Sequence, residues 1–357
     1  MSEMNAIVLT APDQFSYTKV EKPQPAEYEV LCRVESVSIC GTDPHIIHGH
    51  FPGFWPQEFP LIPGHEWSGV IEELGPKAEH FGWKKGDRVC GIANVGCGYC
   101  KNCQEGRFTI CLNYGKKAVH KMYGHLTAGA YADFISVNIK SIAKIPDDMN
   151  HDVAALMDTL SIALHVVMHS GLEPGDTVLV NGAGAQGWMS ILCAKAMGAG
   201  LILCAGSGFR LEMAKKLGAE PIDYRNEGVV EAVMKRTNSL GVKRVIETTG
   251  TTDGVRNACF AAARGGCVSV VGFPKDDVPI PVKRLVLDEI EFVGNRANPN
   301  TLEKAISIAD KCLDEIAMLI THVFPLREYA KALDIFDRRA ENSLKVILKP
   351  QESTTPP

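Results

Sequence analysis

Residues of the types that bind metal ions are concentrated in the segment VSICGTDPHIIHGH, residues 37–50. One cysteine, one aspartate and three histidines fall within eleven positions there: Cys40, Asp43, His45, His48 and His50. Thiolate, imidazole and carboxylate groups are the usual protein ligands of Zn²⁺. The segment therefore raises the question of which of its residues bind a metal ion.

Cys40 has no second cysteine close by, so a metal bound there needs ligands from further along the chain. His65 and Glu66 are adjacent in IPGHEWSGV, and Asp158 lies in MDTLSIALH. Cysteine, histidine and carboxylate around Zn²⁺ leave one position open for water or a substrate oxygen, which is typical of a catalytic site. The spacing alone leaves open the alternative that these residues are structural.

A second cysteine group has a different spacing. CGYCKNCQEGRFTIC places Cys97, Cys100, Cys103 and Cys111 within one short segment. Four thiolates can complete a tetrahedral shell around Zn²⁺ with no open position, which predicts a structural zinc site in a lobe of about residues 94–115. Four free thiols or a redox relay are the alternatives.

A glycine-rich segment, VLVNGAGAQGWM, predicts a dinucleotide site. Gly182, Gly184 and Gly187 form GxGxxG between a predicted strand and a predicted helix, with Ala185 and Gln186 inside the motif. The first glycine permits the tight turn, the second lets the backbone approach a pyrophosphate, and the third lets helix and strand pack closely.

The end of the next strand bears on the choice between NAD and NADP. An acid about 20 residues after the glycines binds the ribose hydroxyls of NAD, but this chain has Ala205, Gly206 and Ser207 there. An aspartate would repel a 2′-phosphate, whereas these small residues leave room for one, with Arg210 and Arg225 as sources of positive charge. The sequence thus favours NADP(H) over NAD(H). The alternative is that both arginines are surface residues and the acid comes from elsewhere.

The order of predicted elements indicates an α/β protein with two kinds of domain. Up to about residue 145 the chain is rich in short β-branched runs punctuated by Gly and Pro, which predicts a β-rich domain. From about residue 175, strands such as DTVLV and LILCA alternate with helical segments, which predicts a parallel sheet covered on both faces. After about residue 296 this alternation ends, and the chain could return to the first domain.

Composition narrows the classes of partner. The chain has 357 residues, 45% of them hydrophobic, and a formal net charge of -5 without charge blocks, so we expect no nucleic-acid or membrane partner. No secretion signal or membrane span is expected, and twelve cysteines in such a chain predict reduced thiols and a cytoplasmic location. We therefore expect the substrate to be a small molecule.

Several motifs together resemble one enzyme family. CGTDPH, GHEWSGVIEELG, GDRV, CGYCKNC and GAGAQG occur in the order found in zinc-dependent medium-chain dehydrogenases/reductases. The chain is most similar to the branch of polyol (sorbitol) and threonine dehydrogenases and ketose reductases. The resemblance implies a GroES-like catalytic domain of residues 1–153 and 296–357 and a Rossmann dinucleotide-binding domain of residues 154–295.

The resemblance also implies roles for single residues. Cys40, His65 and Glu66 would be ligands of a catalytic zinc ion, and Asp158 stands where relatives usually carry Glu in an EPLSVA-like run. Its shorter side chain leaves two roles open, direct ligation or holding the zinc-bound water. Asp43 would orient His65, since metal-binding histidines usually donate their second N–H to a carboxylate.

Other positions follow from the same comparison. Thr42 and His45 match the family's proton relay, whereas His48 and His50 match no ligand position and are expected at a pocket rim or in solvent. The family's usual proline is Ala185 here, and Trp188 is bulkier than usual. Gly272 is a further cofactor-binding candidate. Arg296 is another, with polyol binding or an interface as alternatives.

The substrate is the least determined part. Phe51, Phe54, Trp55 and Phe59 form either an apolar pocket wall or part of the domain core. The resemblance implies hydride transfer between a secondary alcohol or polyol and NADP(H), with two zinc ions per chain and a homodimer or homotetramer. The alternatives are the same chemistry with NAD(H), a zinc-free quinone or enoyl reductase, and a non-enzymatic NADPH-binding protein.

Overall fold

A computed structural model describes residues 2–274 and 276–351. The strands are β1 (Glu3–Ala11), β2 (Gln14–Glu21), β3 (Glu29–Ser38), β4 (Glu66–Leu74), β5 (Arg88–Gly91), β6 (Asn94–Val95), β7 (Lys121–Met122), β8 (Phe134–Asn138), β9 (Ile142–Lys144), β10 (Thr177–Asn181), β11 (Leu201–Gly206), β12 (Glu220–Asp223), β13 (Val242–Glu247), β14 (Ala262–Val270), β15 (Glu291–Gly294), β16 (Ile320–Pro325) and β17 (Lys345–Lys349).

The α-helices are α1 (Asp43–Ile47), α2 (Lys101–Gln104), α3 (His151–Ala154), α4 (Met157–His169), α5 (Ala185–Ala196), α6 (Gly208–Lys216), α7 (Val229–Arg236), α8 (Thr252–Ala261), α9 (Val282–Leu287), α10 (Leu302–Ala309), α11 (Leu313–Ala317) and α12 (Tyr329–Asp337).

The chain divides into two compact units. The first contains residues 1–158 and 309–357, and the second contains residues 159–308. The domain limits expected from the sequence were 153/154 and 295/296. The observed limits are 158/159, inside α4, and 308/309, at the end of α10.

The first unit is built on a sheet of strand order β16-β17-β3-β4-β5-β9, with β8 also paired to β3. The last strand, β17, runs antiparallel to β3 and parallel to β16, so the C-terminal segment completes a sheet that the N-terminal segment begins. The core of this unit includes Val30, Val34, Trp67 and Ile71, whose alternation along β3 and β4 buries one set of side chains.

The second unit contains a six-stranded sheet of order β12-β11-β10-β13-β14-β15, in which every pairing is parallel. This is the doubly wound Rossmann order, with the first strand of the unit, β10, in the middle. Its central strands are almost continuously apolar because both faces are covered; Val178, Leu179 and Val180 are all buried. The predicted α/β class is confirmed.

Among the residues that the structure describes, no helix is both long enough and apolar enough to span a membrane.

Candidate metal and nucleotide sites

Cys40, His65 and Glu66 come together in the first unit. One ligating atom from each lies within 4.8 Å of the others. Strand pairing explains this, since β3 and β4 run antiparallel with Ser38 opposite Glu66, so that the end of one strand meets the start of the other. Cys40 follows β3 by two residues, and His65 precedes β4 by one.

The carboxylate of Asp43 holds this cluster in place. It is fully buried, and its Oδ2 accepts hydrogen bonds from the Cys40 backbone N–H at 2.8 Å and from the Tyr131 hydroxyl at 2.6 Å. Its Oδ1 lies 3.6 Å from Nδ1 of His65. Because Nδ1 faces Asp43, the other ring nitrogen of His65 is the one available to a metal, as expected for a carboxylate that orients a metal-binding histidine.

The glycine before His65 is required by its surroundings. Gly64 has a φ of +89°, and a Cβ atom there would lie 2.6 Å from the ring of Tyr131. The same tyrosine that binds Asp43 therefore leaves space only for glycine in the GHE turn. Sequence reasoning did not identify Tyr131, and nothing in its local sequence distinguishes it from a core aromatic residue.

The charges around the cluster favour a cation. Burial by itself lowers the pKa of His65, but the negative charges of Cys40 and Asp43 outweigh it and raise the pKa to about 10. Asp158 is buried and adds to this field, although among the described residues it falls outside the group of close ligating atoms. A divalent cation would satisfy the same negative charges, so the donor set fits zinc.

A buried lysine lies beside the cluster. Lys345, the first residue of β17, is 3% exposed and forms an ion pair with the carboxylate of Glu66, which is 1% exposed. Burial lowers the pKa of this lysine, but Glu66 and Cys40 outweigh that effect and raise it. Sequence reasoning missed Lys345, because 279 positions separate it from its partner.

The four cysteines near residue 100 also converge. Sγ of Cys97 lies 4.0 Å from Sγ of Cys103, and Sγ of Cys100 lies 3.9 Å from Sγ of Cys111. Four sulfur atoms 2.3 Å from one zinc ion would be about 3.8 Å apart. The distances therefore match a tetrahedral zinc shell and are far too long for disulfides.

Backbone N–H groups point at these sulfur atoms. The Sγ of Cys97 accepts from the N–H groups of Tyr99 and Cys100, and also from the side-chain amide of Asn113. The Asn113 amide and these two N–H groups lower the pKa of Cys97 to about 6, whereas burial raises that of Cys103 to about 12. A cation at the centre of the four sulfur atoms would stabilise all of them as thiolates.

The glycine motif joins β10 to α5 in the second unit. Gly182 has a φ of +118°, and a Cβ atom at Gly187 would lie 1.8 Å from the Gly182 carbonyl oxygen, so close packing requires both glycines. A Cβ atom at Gly184 would meet only the guanidinium of Arg210, at 3.9 Å. The backbone at the start of α5 thus has open space beside it at Gly184, near a cation, and a helix N-terminus with such space fits a pyrophosphate.

Comparison with known proteins identifies the family to which this architecture belongs. Residues 26–147 match the alcohol dehydrogenase GroES-like domain, and residues 186–311 match the zinc-binding dehydrogenase domain. The sorbitol dehydrogenase of Bacillus subtilis is 31% identical over 97% of each chain. The chain belongs to the zinc-binding dehydrogenase family.

Two further proteins are similar to this chain over nearly its whole length. An L-threonine 3-dehydrogenase from Alteromonas mediterranea is 29% identical over 92% of this chain and 94% of the relative. The crystal structure of a zinc-binding dehydrogenase from Sinorhizobium meliloti 1021 bound to NADP is 28% identical, covers 98% of this chain and all of its own, and has a TM-score of 0.89. The expected superfamily, its polyol and threonine dehydrogenase branch, and an oxidoreductase function are confirmed.

The end of β11 in this zinc-binding dehydrogenase differs in one respect from the expectation. Arg225 is held by the carboxylate of Asp223, with its Nε 2.9 Å from Oδ1 and its Nη2 2.6 Å from Oδ2. Its charge is therefore already balanced. The hydroxyl of Ser207 instead donates to the hydroxyl of Tyr224 at 2.9 Å, a partner that sequence reasoning did not identify.

The remaining cofactor candidates follow the carboxyl ends of β14 and β15, at the same edge of the parallel sheet as the glycine motif. Gly272 follows β14, and a Cβ atom there would lie 2.2 Å from the backbone nitrogen of Gly250. Arg296 is half-buried just beyond β15. Trp188 is fully buried, and its Nε1 donates to the carbonyl oxygen of Arg210 at 3.4 Å, so its bulk connects α5 to α6.

The aromatic segment after α1 is divided between core and surface. Trp55 is 8% exposed and its Nε1 donates to the hydroxyl of Tyr114 at 2.6 Å, which agrees with the core alternative. Phe51 packs against it edge to face, and Phe54 stacks on its ring. Phe54 and Phe59 are each 38% exposed.

The four-cysteine lobe yields a stability prediction. We expect Cys97→Ser to remove one zinc ion per chain and to lower the free energy of unfolding by about 3 kcal/mol or more, because a closed zinc shell contributes directly to folding. Metal analysis and chemical denaturation measure both effects. Cys312→Ser, at a half-buried cysteine outside both clusters, is the control. A Cys97→Ser protein with wild-type metal content and stability would contradict a zinc site here.

Proposed function

We propose that this protein is a zinc-dependent dehydrogenase that transfers a hydride between a small secondary alcohol or polyol and NADP(H), and that reduces the corresponding ketone or aldehyde in the reverse direction. The observation that carries the proposal is the convergence of ligating atoms from Cys40, His65 and Glu66 within 4.8 Å. Cysteine, histidine and carboxylate leave a position for substrate, unlike the closed four-cysteine shell.

Each group in the proposal has its own part in the chemistry. When bound, zinc supplies positive charge that lowers the pKa of an alcohol hydroxyl, and the nicotinamide ring supplies the hydride acceptor. Cys40, His65 and Glu66 hold the metal, and Asp43 fixes the ring of His65. Thr42 offers a buried hydroxyl oxygen that has no hydrogen-bond partner among the described residues. In the proposal this hydroxyl takes up the substrate's proton while it releases its own, and His45 carries the released proton onward.

Asp158 has a supporting part in this proposal. Its carboxylate contributes to the electrostatic field at His65 and Lys345 rather than belonging to the close group of ligating atoms. This arrangement favours the second of the two roles left open by the sequence, in which the carboxylate holds a water molecule of the metal site.

Measurement of reduced-nicotinamide absorbance tests the reaction. We expect turnover with at least one member of a panel of polyols and secondary alcohols, two zinc ions per chain in the wild-type protein and one in Cys40→Ser, and a loss of kcat in that variant of at least about a hundredfold. Cys312→Ser is the matched control. Full turnover and two zinc ions in Cys40→Ser would refute the ligand assignment.

Two other functions predict different results in the same experiment. A quinone or enoyl reductase without a catalytic zinc ion would contain at most the structural zinc ion. The grouping of Cys40, His65 and Glu66 argues against this function. A non-enzymatic NADPH-binding protein would bind the nucleotide and give no turnover across the panel.

The proposed preference for NADP(H) over NAD(H) is based on the residues at the end of β11. Ala205 and Gly206 carry no carboxylate, and the paired hydroxyls of Ser207 and Tyr224 are hydrogen-bond donors for a 2′-phosphate. NAD(H) is the second candidate, because Asp223 lies opposite Gly206 in the strand register and could accept from ribose hydroxyls. Against that, its carboxylate is engaged by Arg225.

A charge at position 205 distinguishes the two nucleotides. We expect Ala205→Asp to shift the ratio of the NADPH and NADH dissociation constants toward NADH by about tenfold or more, because a carboxylate repels the 2′-phosphate and accepts from ribose hydroxyls. Ala205→Asn, equal in size and uncharged, is the control. The ratio is taken within one protein, so a loss of stability at this buried position does not affect it. An unchanged ratio would show that position 205 does not decide the preference.

We also propose a homo-oligomer assembled through the second unit. Val282, Val286 and Leu287 on α9 are 62%, 71% and 70% exposed, next along the chain to β15 at the edge of the parallel sheet. An exposed apolar helix, next along the chain to a strand that pairs on one side only within the described part of the protein, supports association with a second copy.

Light scattering after size-exclusion chromatography measures this association. We expect a dimer or tetramer for the wild-type protein and a lower mass for Val286→Glu, because burying the new carboxylate would be costly. Val323→Glu alters an exposed apolar residue of the first unit and is the control. A wild-type monomer at micromolar concentration would refute the proposal.

A further inference from the structure

His50 is joined to His45 by two contacts. The Nδ1 atoms of the two rings lie 2.9 Å apart, which is hydrogen-bond distance, and the ring centroids are 5.2 Å apart. In addition, the backbone N–H of His50 donates to the carbonyl oxygen of His45 at 2.9 Å. Two imidazoles joined through Nδ1 share one proton, since one ring must donate and the other must accept.

The backbone turn after α1 places His50 against His45. Gly49 has a φ of +67°, and a Cβ atom there would lie 2.7 Å from Cγ of Pro12. Only glycine satisfies both the turn and the close approach of Pro12, so the chain is directed back toward α1 directly after the helix. His50 therefore occupies its place because of backbone constraints as well as its own hydrogen bond.

The two rings differ in their access to solvent. His45 is half-buried on α1, three residues after Thr42, whereas His50 is exposed. A proton that leaves the interior through His45 thus meets a hydrogen-bonded acceptor that is itself in contact with water. Imidazole suits this transfer because its ordinary pKa is close to neutral pH.

The neighbouring histidine has different partners. Nδ1 of His48 contacts Oδ1 of Asp13 at 2.5 Å, and its Nε2 lies 3.4 Å from Oδ2 of Asp337 at the end of α12. The hydrogen bond that His48 donates to the carboxylate of Asp13 raises the pKa of His48 despite partial burial, which favours its charged form. Its ring centroid lies 5.6 Å from that of His50. His45 and His48 are thus the titratable groups that face His50 from α1 and its C-terminal end, with Asp13 and Asp337 behind His48.

We infer that His50 is the outer member of the proton relay and exchanges the substrate's proton with bulk water. His45 takes up a proton on its inner nitrogen and gives the Nδ1 proton to Nδ1 of His50, which releases its own Nε2 proton to water. One proton enters the pair and one leaves it, and no electrons are transferred. This inference rests on the proposed function, since it requires His45 to receive the proton from Thr42.

Replacement of His50 tests the inference. We expect His50→Ala to lower kcat for alcohol oxidation by about tenfold near pH 7, with little change in KM for the alcohol, because water replaces the lost base poorly. The solvent deuterium isotope effect on kcat should rise in parallel. Imidazole added to the buffer should restore most of the lost rate, an effect that a merely structural role of His50 would not produce.

His48→Gln is the matched control. It removes an imidazole two positions away, whose ring nitrogens contact Asp13 and Asp337. We expect wild-type kcat and no response to imidazole in this variant. A response equal to that of His50→Ala would indicate a general effect of charge at this surface and would overturn the inference.

The remaining outcomes separate the relay from the reaction itself. Wild-type turnover together with unchanged kcat, isotope effect and imidazole response in His50→Ala would overturn the relay role of His50 and leave the proposed function standing. Absence of turnover by the wild-type protein with every alcohol would overturn the proposed function, and the relay with it.

Discussion

The first unit depends on a buried concentration of negative charge that only a cation can balance. Cys40, Asp43 and Asp158 raise the pKa of His65 although burial alone would lower it, and Glu66, Cys40 and Asp158 do the same for Lys345. Buried carboxylates and thiolates are costly unless they are paired or bound to a metal. Lys345 forms an ion pair with one of these groups, the carboxylate of Glu66, and a divalent ion would balance the remaining charge.

The scaffold around this charge is correspondingly constrained. Asp43 accepts hydrogen bonds from a backbone N–H and a tyrosine hydroxyl and lies 3.6 Å from the ring of His65, so a displacement of any of these groups would disturb the others. Position 64 accepts only glycine because the ring of Tyr131 lies against it. The same position of the ring brings the Tyr131 hydroxyl to Asp43. The residues that support the site thus constrain one another's size and position, although they lie far apart in the chain.

The second unit uses glycine for a different purpose. Gly182 and Gly187 are required by close contacts within the protein, whereas Gly184 leaves a space that the protein itself does not fill. A turn in which two glycines are needed for packing and the third leaves backbone N–H groups accessible is suited to bind an anion. Partly exposed hydroxyl groups at Ser207 and Tyr224 extend the polar surface at the end of the next strand.

Much of this protein follows from local sequence. The parallel sheet, the glycine turn and the four-cysteine lobe were predicted from strand and helix periodicity or from ligand types at short spacing. The grouping of Cys40 with His65 and Glu66 was one of two possibilities on spacing alone, and only the family resemblance implied it. The short edge strand β12, with Pro221 in it, was missed because an edge strand of four residues carries little periodicity.

Only the tertiary structure revealed Tyr131 beneath Asp43, Lys345 beside Glu66, Tyr224 beside Ser207 and Asp223 as the partner of Arg225. Even the contact between His45 and His50, five residues apart, depends on a turn fixed by Pro12. The sequence by itself determined which chemical groups the protein possesses and where the chain turns. Their pairing was decided by folding, because residues distant in sequence become neighbours only when the strands and helices that carry them pack together.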